Sequence, residues 1–300
     1  LGINTTGIYN LALGISALES NTTASYNTAV GANALDANTT ASNNTAVGYA
    51  SLSANTTGTG NVAVGSGASD ANTDGDYNIA VGNGALGSDT RGNFSTGIGH
   101  GALNSQNTTN DTDMYNTAVG YLAGTLVTTG ISNTLVGGLA GDALTDADYN
   151  IAVGYNALTT DTLGSRSIAI GVGALEAQNF TSATDVYNVA IGHGAGGVVT
   201  TGTDNTLIGG LAGDAATTAS GTTFVGKSAG SATTTGGDNT GLGKQALKST
   251  TTGTANTAVG KDALETNTTA SNNTAVGFKA LEANTTGASN VAVGYLALDA

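Results

Sequence analysis

The chain has 300 residues, 47 of them Gly, with no Pro, Cys or Trp and only 9% charged residues, against about 25% in an ordinary globular protein. It carries a net charge of −14, which argues against contacts with a nucleic-acid backbone, and the lack of Cys excludes a disulfide framework. Hydrophobic residues make up 39% and recur at fixed places, so the composition is not that of a disordered chain. No apolar run approaches a membrane span, so no membrane insertion is expected within this segment.

The organising feature is a repeat, marked by an aliphatic residue followed by glycine. The marker glycines are Gly14, Gly31, Gly48, Gly65, Gly82, Gly99, Gly120, Gly137, Gly154, Gly171, Gly192, Gly209, Gly226, Gly243, Gly260, Gly277 and Gly294. Fourteen of the sixteen intervals are 17 residues and two, Gly99 to Gly120 and Gly171 to Gly192, are 21. One cycle reads N-T-A-V-G-Y-x-A-L-x-x-N-T-T-G-x-x, with the marker at position 5. No linker interrupts it, so residues 1–300 read as one continuous repeat domain. The stretch from Gly99 to Gly171 aligns with Gly171 to Gly243 as a 72-residue block. Such duplication is easy where each unit contacts only its neighbours.

Taken in order, position 1 is Asn in fourteen cycles, from Asn10 to Asn290. Asn suits a corner, and stacked copies would form a ladder that pairs amides between rungs. Positions 2–4, such as Thr28-Ala29-Val30, read as a β-strand with positions 2 and 4 on one face and Ala on the other. No 3.6-residue periodicity supports a helix. Position 5 requires Gly for a positive φ or for the close passage of another backbone, so the seventeen markers are structural turn residues. Position 6 hosts Tyr49, Tyr121, Tyr155, Phe278 and Tyr295, a ring ladder that favours packing over ligand binding. Position 8 is Ala except at Ser51, and position 9 is Leu in eleven cycles. Read as strand neighbours, the pair has both faces buried, so one face needs a second chain to cover it. Where position 9 is Gly (Gly124, Gly141, Gly196, Gly213, Gly230), the apolar contact is expected two places on, at Leu126, Ala143, Val198, Ala215 and Ala232. Positions 10–17 are rich in Thr, Asn, Ser, Asp and Gly and read as an exposed loop, and both four-residue insertions fall there.

The expected fold is therefore all-β: a parallel β-solenoid of about seventeen coils, forming a rod of roughly 80 Å at ~4.8 Å per coil. The unit N-T/V/I-A-V-G-x-x-A-L, as in residues 289–298, resembles the head repeat of YadA-like trimeric autotransporter adhesins. It resembles still more the N-T-A-x-G-Y-x-A-L-x-x-N-T-T-G arrays of phage tail-fibre-like and bacterial surface proteins. The resemblance implies a left-handed β-roll, a homotrimer, and an extracellular setting on a cell surface or virion fibre.

No pattern for chemistry emerges. His100 and His193 both occupy position 6 but lie about five coils apart, too far to share a metal. Gly-rich strings such as residues 209–214 lack the Lys-Ser/Thr of a phosphate loop, the calcium-binding nonapeptide is absent, and no Ser, His and acid recur together. The expectation is a non-enzyme without cofactor or metal. N-x-T/S sequons fall at Asn4, Asn21, Asn38, Asn43, Asn55, Asn93, Asn107, Asn110, Asn179, Asn267, Asn272 and Asn284, candidate glycosylation sites along the Thr-rich loop. Arg91 and Arg166 precede residue 225 and all five Lys follow it, which reads as drift of a solvated face.

Leu1 falls at position 9 and Ala300 at position 11, as in a piece of a longer fibre, since solenoids need caps or continuation. The expected function is a structural repeat segment of an extracellular fibre, self-associated as a homotrimer or head to tail, that gives reach and adhesion. Surface glycans or receptors are its expected partners. The alternatives are an ice-binding solenoid with Thr ladders and a glycan- or receptor-binding fibre. Position 2, where Thr alternates with Val and Ile, reads as core and weighs against ice binding.

Overall fold

The computed structural model describes residues 2–299. It forms two compact units, Leu1–Asn150 and Ile151–Ala300. Among the described residues there is no helix, hence none long and apolar enough to cross a membrane. Each unit is a parallel β-solenoid whose coils follow the sequence repeat.

In the first unit the strands Leu11–Leu13, Thr28–Val30, Thr45–Val47, Val62–Val64, Ile79–Val81, Thr96–Ile98, Thr117–Val119 and Thr134–Val136 pair in sequence order. In the second the ladder runs from Ile151–Val153 through Ile168–Ile170, Val189–Ile191, Thr206–Ile208, Thr223–Val225, Thr240–Leu242, Thr257–Val259 and Thr274–Val276 to Val291–Val293. All pairs are parallel and in register, so position 2 sits on position 2 of the next coil. A slip of one residue would turn every outward side chain inward, and the invariant small or apolar position 3 prevents it.

Three-residue strands alone would hold little. The backbone bonds continue around the whole coil: Gly31 N–H donates to Leu13, Asn33 to Ile15, Leu35 to Ser51, Ala37 to Ser53, Thr22 to Thr39 and Tyr26 to Ile8. The donor alternates between the preceding and following coil. This requires left-handed backbone at positions 7, 9 and 17, occupied for example by Asn33, Leu35 and Tyr26 at φ of 59°, 52° and 61°. The marker glycines lie at φ of +134° to +144°, a region that is essentially Gly-only. They also pass close to one another: a Cβ on Gly31 would lie 2.2 Å from the carbonyl oxygen of Gly48. Both reasons for glycine at position 5 hold.

The left-handed residue at position 9 corrects the reading of the Ala-Leu pair. Positions 8 and 9 are not strand neighbours on opposite faces. Ala34 and Leu35, or Ala157 and Leu158, are all fully buried within their own coil, because the φ > 0 turn swings the second side chain inward. The pair gives no argument for a partner chain. The same turn overturns the expected shift of the apolar contact: Leu126 and Val198 are 49% and 43% exposed. The buried residue lies one place further, at position 12: Val127, Leu144, Val199 and Ala216.

Core volume is conserved by exchange. Where position 9 is Leu, position 3 is Ala or Gly and position 12 is polar. Where position 9 is Gly, position 3 or its neighbour in the stack is Leu135, Leu207 or Phe224. A Cβ on Gly124 would lie 2.6 Å from Leu135 Cδ1, and one on Gly230 2.3 Å from Phe224 Cε2. The large side chain thus occupies the space that a position-9 Leu fills elsewhere, as close packing demands.

Positions 10–17 are not simply an exposed loop. Position 12 forms a buried amide ladder: Asn21 Nδ2 donates to Asn4 Oδ1 at 2.7 Å, Asn38 to Asn21 at 3.1 Å, Asn55 to Asn38 at 3.1 Å and Asn72 to Asn55 at 2.8 Å. Position 1 forms a second ladder of another kind. Asn27 Oδ1 accepts the backbone N–H of Asn44 at 2.9 Å and its Nδ2 donates to the Ala41 carbonyl at 2.9 Å. The expected pairing of amides therefore runs chiefly through position 12. Position 13 Thr hydroxyls donate to the next coil's backbone, as Thr22 does to Thr39 at 3.0 Å. Each four-residue insertion adds a two-residue bridge, Gly92–Asn93 with Thr112–Asp113 and Gly164–Ser165 with Thr184–Asp185, and buries Met114 or Val186.

The first amide ladder ends at Asp89, which faces Asn72 from the next rung but lacks an amide N–H, and Asn72 Oδ1 has no partner. Asp89 accepts from Gln106 Nε2 and from the Gly92 N–H at 3.0 Å. Burial nevertheless raises its carboxyl above the usual range, the hydrogen bonds opposing only in part. A pKa raised in the fold means stability that is full in acid and is lost as pH rises through the folded value. Urea midpoints should thus gain less, on going from the ordinary carboxylate range near pH 4 to neutral pH, than they would without this buried carboxyl. Asp89→Asn, which supplies the residue found at Asn21, Asn38, Asn55 and Asn72, should enlarge that gain; an unchanged gain would exclude Asp89 as a source.

The exchange of core volume is open to a double-mutant cycle. Phe224→Ala should cost about 3–5 kcal/mol and Gly230→Leu about 1–3 kcal/mol by overpacking. The double variant recreates the Ala-and-Leu interior of a coil such as that of Ala258 and Leu264. It should be more stable than Phe224→Ala alone in a denaturant melt, whereas additive losses would contradict the exchange.

Candidate interaction face

The strands point position 3 inward and positions 2 and 4 outward. Ala29, Ala46, Ala63 and Ala80 are fully buried, while Val64, Ile79 and Ile98 in the first unit are 36–39% exposed and Leu242 in the second is 47% exposed. Position 2 therefore faces outward and is not core. The result in each unit is an outward face two ranks wide, with position 4 aliphatic on every rung and position 2 a mixture of Thr with Val, Ile or Leu, rising ~4.8 Å per rung. Within it Thr206, Thr223, Thr240, Thr257 and Thr274 occupy position 2 of five successive rungs beside Ile208, Val225, Leu242, Val259 and Val276. Among the described residues these five hydroxyls have no protein partner.

Aromatic rings flank the face. The longer ladder is at position 17, not position 6. Tyr77, Phe94 and Tyr115 stack with centroids 5.5 and 5.3 Å apart and planes within 7°, and Tyr9 stacks on Tyr26 at 5.2 Å. All five rings sit on left-handed backbone, a cost of about 1–2 kcal/mol each that stacking of about 0.5–1.5 kcal/mol per pair offsets in part. Its sequence sign is the Tyr-Asn dipeptide ahead of position 1, as at Tyr26-Asn27 and Tyr77-Asn78. At position 6 the stacks are His100 on Tyr121 and Phe278 on Tyr295. Rings stacked face to face have few faces left for a sugar. His100 and His193 are both exposed, and no group of His, Cys or acidic residues suited to a metal occurs among the described residues.

The sequon asparagines divide by environment. Asn43, Asn107, Asn110 and Asn272 are exposed; Asn4, Asn179 and Asn284 are half-buried; Asn21, Asn38, Asn55, Asn93 and Asn267 are buried. In the buried group Nδ2 is a hydrogen-bond donor, for instance Asn38 to Ala41 at 3.0 Å and Asn267 to Ala270 at 3.1 Å. The marker glycines lie beside the face, each ending an outward strand. No family model matches the chain, and no curated protein matches it.

Proposed function

We propose that the chain is a structural repeat segment of an extracellular fibre, of the adhesin head or shaft or the phage tail-fibre type that its repeat resembles. In this reading its strand face is covered by further copies of the same chain. The observation that carries the proposal is the exposed aliphatic face on an all-parallel sheet, because such sheets occur almost only with both faces covered. Covering what remains exposed of each Val or Ile would contribute roughly 0.5–1 kcal/mol, summed over every rung. The recurrent polar side chains support a structural role, since Asn at positions 1 and 12 and Thr at 13 are engaged in holding one coil to the next. A homotrimer, reach from a cell or virion surface, and adhesion to surface glycans or receptors belong to this proposal.

Sedimentation at micromolar concentration should give a multiple of the 28.9 kDa chain mass. Val47→Lys with Val64→Lys should shift it toward one chain without unfolding the coil; a monomeric wild type would exclude self-coverage of this face.

A second reading has its own observation. The five Thr hydroxyls from Thr206 to Thr274, in register beside an aliphatic rank, form a regular array able to order water. The position-13 Thr ladder cannot serve so well, because its hydroxyls bond backbone. Ice binding predicts thermal hysteresis in a cooled sample, lost in Thr223→Tyr with Thr240→Tyr; no hysteresis in the wild type removes this reading.

A further inference from the structure

Position 6 of three successive coils in the second unit is Lys: Lys227, Lys244 and Lys261. Backbone bonds fix them in one row, since the carbonyls of Lys227, Lys244 and Lys261 accept the N–H groups of Gln245, Asp262 and Lys279, each at 3.0 Å. All three side chains are exposed. Lys261 pairs with Asp262 at 3.0 Å and lies 5.2 Å from the Phe278 ring centroid. Lys227 and Lys244 take part in no ion pair among the described residues. Lys248 and Lys279, by contrast, are paired with Glu265 and Glu282 at 3.1 and 2.8 Å.

Like charges on adjacent rungs repel, and neither Lys227 nor Lys244 is held in an ion pair among the described residues. The row also stands in a C-terminal stretch whose charges balance, on a chain that is otherwise strongly acidic. From residue 223 on there are five Lys against five acidic residues, whereas the residues before it hold two Arg against sixteen acids. An anionic ligand running along the coils would relieve the repulsion.

From this row we infer a binding strip for an acidic polysaccharide, one that carries a single carboxylate or sulfate on each sugar and lies parallel to the coil stack. The rung spacing of ~4.8 Å is close to the length of one pyranose residue, so successive acid groups meet successive ammonium groups. Nucleic acid fits less well. Duplex DNA presents one charge per ~1.7 Å of axis, too dense for a row one residue wide. The nearby rings cannot serve as base platforms either, because Phe278 has Lys261 over it and Tyr295 stacked on it. The inference deepens the adhesion part of the proposed function by naming a ligand class.

The test uses the full chain with polygalacturonate and alginate, each with one carboxylate per sugar, as probes, and neutral dextran and a single-stranded oligonucleotide as comparators. The wild type should bind at least one acidic polysaccharide at low ionic strength and release it at high salt, with dextran inert. Lys227→Gln, Lys244→Gln and Lys261→Gln combined should weaken binding roughly tenfold or more, while Lys248→Gln should stay within about twofold. Because the triple variant also loses the Lys261–Asp262 pair, its fold is checked by a melt beside the double variant Lys227→Gln with Lys244→Gln. The double variant keeps that pair, should melt no lower than the wild type and should still bind several-fold more weakly. No binding of either probe, full affinity in the triple variant, or tighter binding of the oligonucleotide would overturn the inference. Sedimentation of the same samples keeps the outcomes apart: a single chain that binds retains the strip and loses the self-covered fibre, and an oligomer that does not bind does the reverse.

Discussion

Every coil depends on continuous hydrogen bonding to its neighbours around its whole circumference, not only through three strand residues. A polypeptide achieves this only if successive N–H groups can be aimed alternately at the coil before and the coil after, and in these coils that takes left-handed backbone at fixed points. Glycine at position 5 supplies one such point at no steric cost. Leu, Asn and Tyr at positions 9, 7 and 17 accept strain of the order of 1 kcal/mol each, tolerated because each coil over-determines the next. Buried Asn at positions 1 and 12 then takes up the corner backbone groups that the main chain leaves unpaired.

With the backbone so constrained, the interior has little freedom left. It holds the side chain of position 3, the small residue of position 8 and one large group. That group comes from position 9 or, where that is Gly, from position 3 of the same or the neighbouring coil, with position 12 turned inward beside it. The Gly-for-Leu exchanges at Gly124, Gly141, Gly196, Gly213 and Gly230 keep the volume while moving its source around the coil. Polar groups obey the same closure. The amide ladder of the first unit is satisfied until Asp89 breaks it, and there a carboxylate is held by several N–H groups against the cost of its burial.

Function lies on the outside, where this regularity becomes geometry. Identical positions align into rows, so a modest side chain gains effect by repetition: a Val becomes a face, a Tyr a stack, a Lys a strip of charge. The proposed self-coverage rests on an exposed outward face of a parallel sheet, and the proposed acidic polymer on a basic row in a chain of net charge −14. Both are readings of arrays, and neither needs a cavity or a catalytic constellation.

Much of this was legible in the residues alone. The spacing of the marker glycines determined the coil length, the all-β parallel stack and the places of the insertions, and Thr-Ala-Val determined which residues share a strand face, though not that the Ala face is the inner one. What lay outside the strands was not legible. Alternation of faces follows from φ and ψ in the β region, and at positions 7, 9 and 17 φ is positive. Leu35 therefore turns inward beside Ala34, Asn38 and its like are buried although they look like loop residues, and Val30 and Thr28 are left at the surface although they look like core. A one-dimensional pattern carries the period of a coil; only the closed coil, by bending the chain at left-handed residues, decides which side chains it encloses.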